Sequence, residues 1–176
     1  MTGEPQTKKL TRAYGLNEIA LVPSDKTIDP DIVDSSFEVG NVKLDFPIIA
    51  SAMDSVVSPE SAIKMGKLGG LGILNLEGIQ TRYENPNDIL EKIASVGKTE
   101  YVALMQDIYQ RNPIQDELII KRIQEIKAAN VPCAVSSTPQ QANRLGPIAQ
   151  KAGADLFLIQ STVVSTQFKG KEGQEI

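Results

Sequence analysis

Ser51, Met53 and Asp54 stand directly after the apolar run Pro47-Ile48-Ile49-Ala50. Their types suit ligand contact at the end of a strand. A hydroxyl can bond a polar ligand, a thioether packs well on an aromatic ring, and a carboxylate can fix a loop by accepting backbone N–H groups. Gln160, Ser161 and Thr162 form a second polar group, after the apolar run Leu156-Phe157-Leu158-Ile159. Read as packing alone, Ser51 ends a strand and Met53 fills the core, since methionines are usually buried. Asp54 reads as a residue that orients its loop rather than as a catalyst. Gly69, Gly70 and Gly72 could let a phosphate approach the backbone. A Gly-Gly before a strand is more often a helix stop and a tight turn, and that reading is preferred.

The chain has one cysteine and no histidine among its 176 residues. A Ser-His-Asp triad and a His-ligated zinc are therefore impossible within it. An internal disulfide and a multi-cysteine metal site are excluded as well, and no metal is expected. Cys133 lies in the apolar run Val131-Pro132-Cys133-Ala134-Val135. Burial raises a thiol's pKa and leaves it inert, so Cys133 reads as structural. The formal charge of -4 argues against a nucleic-acid partner, which selects for a basic face. No apolar run approaches the ~20 residues needed to span a bilayer. Lys8, Lys9 and Arg12 precede no apolar segment of the signal-peptide kind. A cytoplasmic, reducing location is the expectation.

The elements that must position these residues follow from patterning. Ser58-Pro59-Glu60 opens a helix through capping, a proline at the first position and an acid at the positive dipole end. Leu71 to Asn75 reads as the next buried strand, which makes a strand–helix–strand unit with Pro47 to Ala50. Upstream, Asp34–Phe37 and Val39–Leu44 read as a hairpin turning at Gly40-Asn41, and Tyr14 to Pro23 as an irregular leader or short helix. Downstream, helices are expected from Asn87, over Glu100–Tyr109 and over Gln115–Ala129, where Leu118, Ile119, Ile123 and Ile126 make an apolar stripe. Val131–Ser136 is a third strand. Thr138-Pro139 opens a helix that Gly153 stops, with Pro147 as a possible kink, and Asp155–Gln160 is a fourth strand.

Ala50-Ser51-Ala52-Met53-Asp54, Gly69-Gly70-Leu71-Gly72 and Glu18-Ile19-Ala20-Leu21-Val22-Pro23 appear in this order, and together they resemble the IMP dehydrogenase / GMP reductase family. Asn75 to Tyr83 looks most like its "IMP dehydrogenase-related" branch, without the regulatory insert. The resemblance implies an α/β fold of the (β/α)8 TIM-barrel type, of which this chain holds about the first four strand–helix units. The implied organisation is a leader and strand pair over residues 1–45, followed by the N-terminal half of a barrel over 46–176, incomplete at its C-terminus. A whole barrel typically needs ~250 residues.

The resemblance also implies roles. Ser51 and Met53 contact a purine nucleotide, with the hydroxyl near ribose or phosphate and the thioether against the base. Gln160, Ser161 and Thr162 lie beside the nicotinamide of NAD or NADP, although the family often has an acid where Gln160 stands. Asn75 and Leu76 replace a His-His found in many relatives. The family's nucleophilic cysteine belongs to a later loop, so no catalytic residue is assigned here. The implied reaction is oxidation of IMP to XMP, with reductive deamination of GMP to IMP as the alternative, in a homo-oligomer. The rival from another class is a truncated, non-catalytic half-barrel with an assembly role. Arg82, Tyr83 and Glu84 read as a solvated loop.

Overall fold

The computed structural model describes residues 11–97 and 100–161. The chain divides into two compact units, Met1–Asp34 and Ser35–Ile176. The described part of the first unit is extended apart from short 3-10 turns at Leu16–Glu18 and Pro30–Ile32. Asp29 caps the second turn by accepting from the Asp31 N–H at 3.1 Å.

The second unit opens with the antiparallel pair β1 (Phe37–Val39) and β2 (Val42–Leu44). Its turn needs Gly40, whose φ of 58° suits a residue without a Cβ. The first arm is Phe37–Val39 rather than Asp34–Phe37, because Asp34 to Ser36 make no ladder, and the second begins at Val42 rather than Val39, because Val39 pairs with Val42 across the turn.

A four-stranded parallel sheet follows, in the order β3 (Ile49–Ala50), β4 (Leu71–Asn75), β5 (Ala134–Ser137), β6 (Leu156–Ile159). Each new strand joins beside the last, with no reversal of direction. That is the winding of a barrel rather than of a doubly wound sheet, and the fold is a partial (β/α)8 barrel.

Helix α1 (Pro59–Lys67) joins β3 to β4. Ser58 and Ser61 cap it reciprocally: Ser61 N–H donates to Ser58 Oγ at 3.2 Å and Ser58 N–H to Ser61 Oγ at 2.8 Å. Its end is a glycine stop. Gly69, at φ 91°, and Gly70 donate to the carbonyls of Gly66 and Met65, both at 3.0 Å. Among the described residues, a 3-10 turn at Ile79–Thr81 and three α-helices separate β4 from β5: α2 (Pro86–Ser95), α3 (Tyr101–Arg111) and α4 (Asp116–Ala128). Helix α5 (Pro139–Ala152) joins β5 to β6 and passes through Pro147 without ending; Gly153, at φ 95°, stops it.

The strands sort their side chains by alternation. Leu74, Leu76, Cys133 and Val135 face the helices, where Ile119, Ile123, Ile126 and Leu145 are fully buried with them. Full burial of each such side chain contributes about 1.5–3 kcal/mol. Leu71, Ile73 and Ala134 form the other cluster, together with Val42 and Leu44 of the hairpin.

Three local expectations are corrected. The first strand holds only Ile49 and Ala50 of the run from Pro47. The third begins at Ala134, not Val131, because Pro132 has no N–H and Cys133 N–H is taken by Asp155 Oδ2 at 2.8 Å. Thr138 holds the cap position of α5, but its side chain makes no cap bond.

Candidate functional site

The carboxyl ends of the parallel strands carry the polar groups. After β3 the chain turns sharply: Met53 N–H donates to Ser51 O at 2.8 Å, and Val57 N–H to Met53 O at 2.8 Å. Ser51 is exposed and Met53 is 50% exposed. Met53 is therefore not a core filler, and the packing explanation for it fails. Its side chain is half exposed on the strand-end loop while Ala52, between the two, is buried.

Gln160 extends the ladder of β6 by one bond, N–H to Ser137 O at 2.9 Å. Its amide nitrogen reaches Ala52 O at 3.5 Å. The structure thus brings the predicted cofactor group and the predicted substrate loop to one place, across the sheet from β6 to β3. Ser161 is exposed beside Gln160. Thr162 lies outside the described residues.

Between these two strands, Asn75 of β4 and Ser136 of β5 are register partners. Asn75 turns its Oδ1 to the Glu77 N–H at 3.0 Å. Ser136 shares a strand face with Ala134 of the hairpin-side cluster, and its hydroxyl is buried without a partner among the described residues. Such an orphan is uncommon in a settled core and points to a polar group still to be met. Glu77 ties the loops after β4 and β5 together, accepting from Thr138 N–H at 2.5 Å.

Asp54 orients its loop, as its type suggests. Oδ2 accepts from Ile79 N–H at 2.9 Å and from Tyr109 Oη at 2.7 Å. Burial, and then the carboxylate of Asp54, pushes the Tyr109 phenol well above its ordinary range. Tyr109 is therefore a hydrogen-bond donor and no proton source near neutral pH.

Arg82 and Tyr83 correct the solvated-loop expectation. Arg82 donates to the carbonyls of Glu77, Tyr109 and Asn112 at 3.0, 3.1 and 2.8 Å, and its guanidinium lies 4.9 Å over the Tyr109 ring. Tyr83 Oη donates to Ile108 O at 2.8 Å. Both fasten α3 to the loop after β4. Only Glu84 fits the expectation; it is exposed and pairs with Lys121. Sequence reasoning missed Tyr109 and Ser136. Tyr109 reads locally as the last residue of a helix, and Ser136 as a strand end.

The glycines behave as structural punctuation. Gly69 and Gly70 close α1, and a Cβ on Gly72 would stand 2.8 Å from the Cα of Ala62. Cys133 is fully buried. Burial first, and then the Asp155 carboxylate, push its thiol up to about 12, which removes it as a nucleophile at neutral pH. Among the described residues no group of acidic, histidine or cysteine side chains could hold a metal ion. No helix among them is long and apolar enough to cross a membrane.

A family model described as IMP dehydrogenase / GMP reductase domain matches residues 13–172. An uncharacterized oxidoreductase of Mycobacterium tuberculosis is 34% identical over 173 residues, covering 94% of this chain and 45% of that protein. An inosine-5'-monophosphate dehydrogenase of Korarchaeum cryptofilum is 41% identical over 63 residues, which is 36% of this chain and 13% of that enzyme. The crystal structure of an IMP dehydrogenase/GMP reductase-like protein from Corynebacterium glutamicum superposes with a TM-score of 0.81 at 32% identity, over 89% of this chain and 43% of the other. The chain spans a little under half the length of the full-coverage relatives.

Proposed function

Because the chain belongs to the IMP dehydrogenase / GMP reductase family, we propose that it forms the nucleotide-holding part of an NAD(P)-dependent oxidoreductase that acts on a purine nucleotide. The carrying observation is the meeting of the Ser51–Met53 loop with Gln160 through the carbonyl of Ala52. Ser51 supplies an exposed hydroxyl for ribose or phosphate. Met53 supplies a half-exposed thioether that a purine face can cover.

A nicotinamide dinucleotide fits the donors opposite. Gln160 offers a carboxamide, Ser161 an exposed hydroxyl, and Ser136 an unmatched buried one. When bound, such a cofactor supplies hydride transfer. The work of this chain's own residues is to bind and orient. Cys133 takes no part, being buried and protonated. A cytoplasmic protein that assembles as a homo-oligomer suits this reading.

Oxidation of IMP to XMP is the preferred direction. Reduction of GMP is the second reading, favoured by one observation: among the described residues the span from β4 to β5 holds a 3-10 turn at Ile79–Thr81 and the helices α2, α3 and α4, with no large inserted domain. One assay separates them. The protein made from its native gene is incubated with IMP and NAD, and with GMP and NADPH, and absorbance of the reduced cofactor is followed. A rise with IMP is the predicted outcome, and a fall with GMP selects the second reading. No change with either nucleotide contradicts both.

A further inference from the structure

The strongest unassigned arrangement is the buried junction around Asp54. It joins segments far apart in the chain: the loop after β3, the loop after β4, and the last turn of α3. We propose that Tyr109 is a positioning residue for the nucleotide site, holding the Ser51–Met53 loop in place through Asp54 and coupling it to helix α3. This inference rests on the proposal that Ser51 and Met53 contact a nucleotide.

The geometry is specific. Asp54 directly follows Met53, and the backbone around both is closed by the bonds from Val56 and Val57 N–H to Met53 O, at 2.9 and 2.8 Å. Anchoring the Asp54 carboxylate fixes the loop backbone from which the Met53 side chain projects. The anchor is Oδ2 alone, shared by Tyr109 Oη at 2.7 Å and Ile79 N–H at 2.9 Å. Oδ1 is buried with no partner among the described residues. A side chain at Gly78 would collide with this carboxylate, so the loop after β4 is shaped to receive it.

Tyr109 is itself immobilised. Arg82 lies over its ring and donates to its carbonyl, and Tyr83 donates to the carbonyl of Ile108 one residue before. The end of α3 is thus bolted to the loop after β4, and its phenol reaches from there to Asp54. Two donors from two separate segments hold one carboxylate oxygen. Removal of the phenol leaves the Ile79 N–H as its only bond. The carboxylate then becomes free to rotate or to take up water, and the loop moves with it.

The test is titration of IMP into the protein made from its native gene, compared with Tyr109→Phe and Arg111→Ala. Arg111 pairs with Asp107 on the exposed face of α3, so its variant reports general disturbance of that helix. Loss of a hydrogen bond to a charged acceptor predicts about tenfold weaker IMP binding by Tyr109→Phe, with Arg111→Ala unchanged. Asp54→Asn keeps an acceptor for both donors, so it should stay nearer the parent than Asp54→Ala. Equal affinity of Tyr109→Phe and parent, even with a lowered unfolding midpoint, overturns the positioning role and leaves the nucleotide reading intact. If the parent binds neither IMP nor GMP, the nucleotide reading falls and the positioning role falls with it.

Discussion

Arg122 of α4 donates through Nε to the carbonyl oxygen of Gln80 at 3.0 Å, from a side chain only 8% exposed. The same guanidinium donates to the carbonyls of Tyr83 and Glu84 at 3.3 and 2.8 Å and pairs with Glu125 at 3.0 Å. One buried cation therefore ties α4 to three carbonyls of the loop after β4. Arg122→Met fills the volume but leaves these acceptors without donors. It is predicted to lower stability by about 3 kcal/mol, read as a fall in the urea midpoint. Arg122→Lys should recover little, since a point charge cannot reproduce the planar fork.

Two glycines should respond differently. Gly72 of β4 lies under α1, where a Cβ would stand 2.8 Å from the backbone Cα of Ala62. Backbone cannot step aside as a flexible side chain can, so Gly72→Ala should cost about 1–3 kcal/mol. Gly146 lies within α5 directly before Pro147, and beyond its own helix a Cβ there would meet the Phe157 ring at 4.0 Å. The Pro147 ring crowds a Cβ on the preceding helical residue. That offsets the gain of up to about 1 kcal/mol that helix propensity gives alanine over glycine, so Gly146→Ala should melt close to the parent. Paired thermal melts of these variants check both outcomes.

The Cys133 thiol sets an alkaline limit. Its folded pKa is pushed up to about 12 by burial and by Asp155, from an ordinary value of 9.0. The unfolded chain therefore loses this proton first. The stabilising effect is complete below the ordinary value and is lost as pH rises toward the folded one. Between these limits, urea midpoints of the parent should fall with pH more steeply than those of Cys133→Ala. At pH 8 the native thiol should resist a water-soluble thiol reagent and react only on unfolding.

Local chemistry made much of this fold legible. Ser58-Pro59 opens α1 and Gly69-Gly70 closes it, because caps and stops are written within a few residues of the ends they make. The stripe Leu118, Ile119, Ile123 and Ile126 is buried as its spacing predicts. What failed was non-local. Ala134 begins β5 because Asp155, 22 residues away, captures the Cys133 N–H. Arg82 reads as a surface charge until its partners at Tyr109 and Asn112 are placed. Asp54 was legible as a loop organiser, but its partner Tyr109 lies 55 residues downstream. No periodicity carries that pairing. Met53 is the inverse case: packing statistics favour burial, and the structure leaves it half exposed.

Receipt of a purine nucleotide by the loop after β3 is the core of the proposed function. Its most direct test is calorimetric titration of IMP into the protein made from its native gene and into Met53→Ala. Met53 is 50% exposed and belongs to neither core cluster, so its truncation should leave the unfolding midpoint little changed. The account predicts saturable binding by the parent and about tenfold weaker binding by the variant, from the lost thioether contact and its buried area. Equal affinities, or no binding of IMP or GMP by the parent, would contradict it.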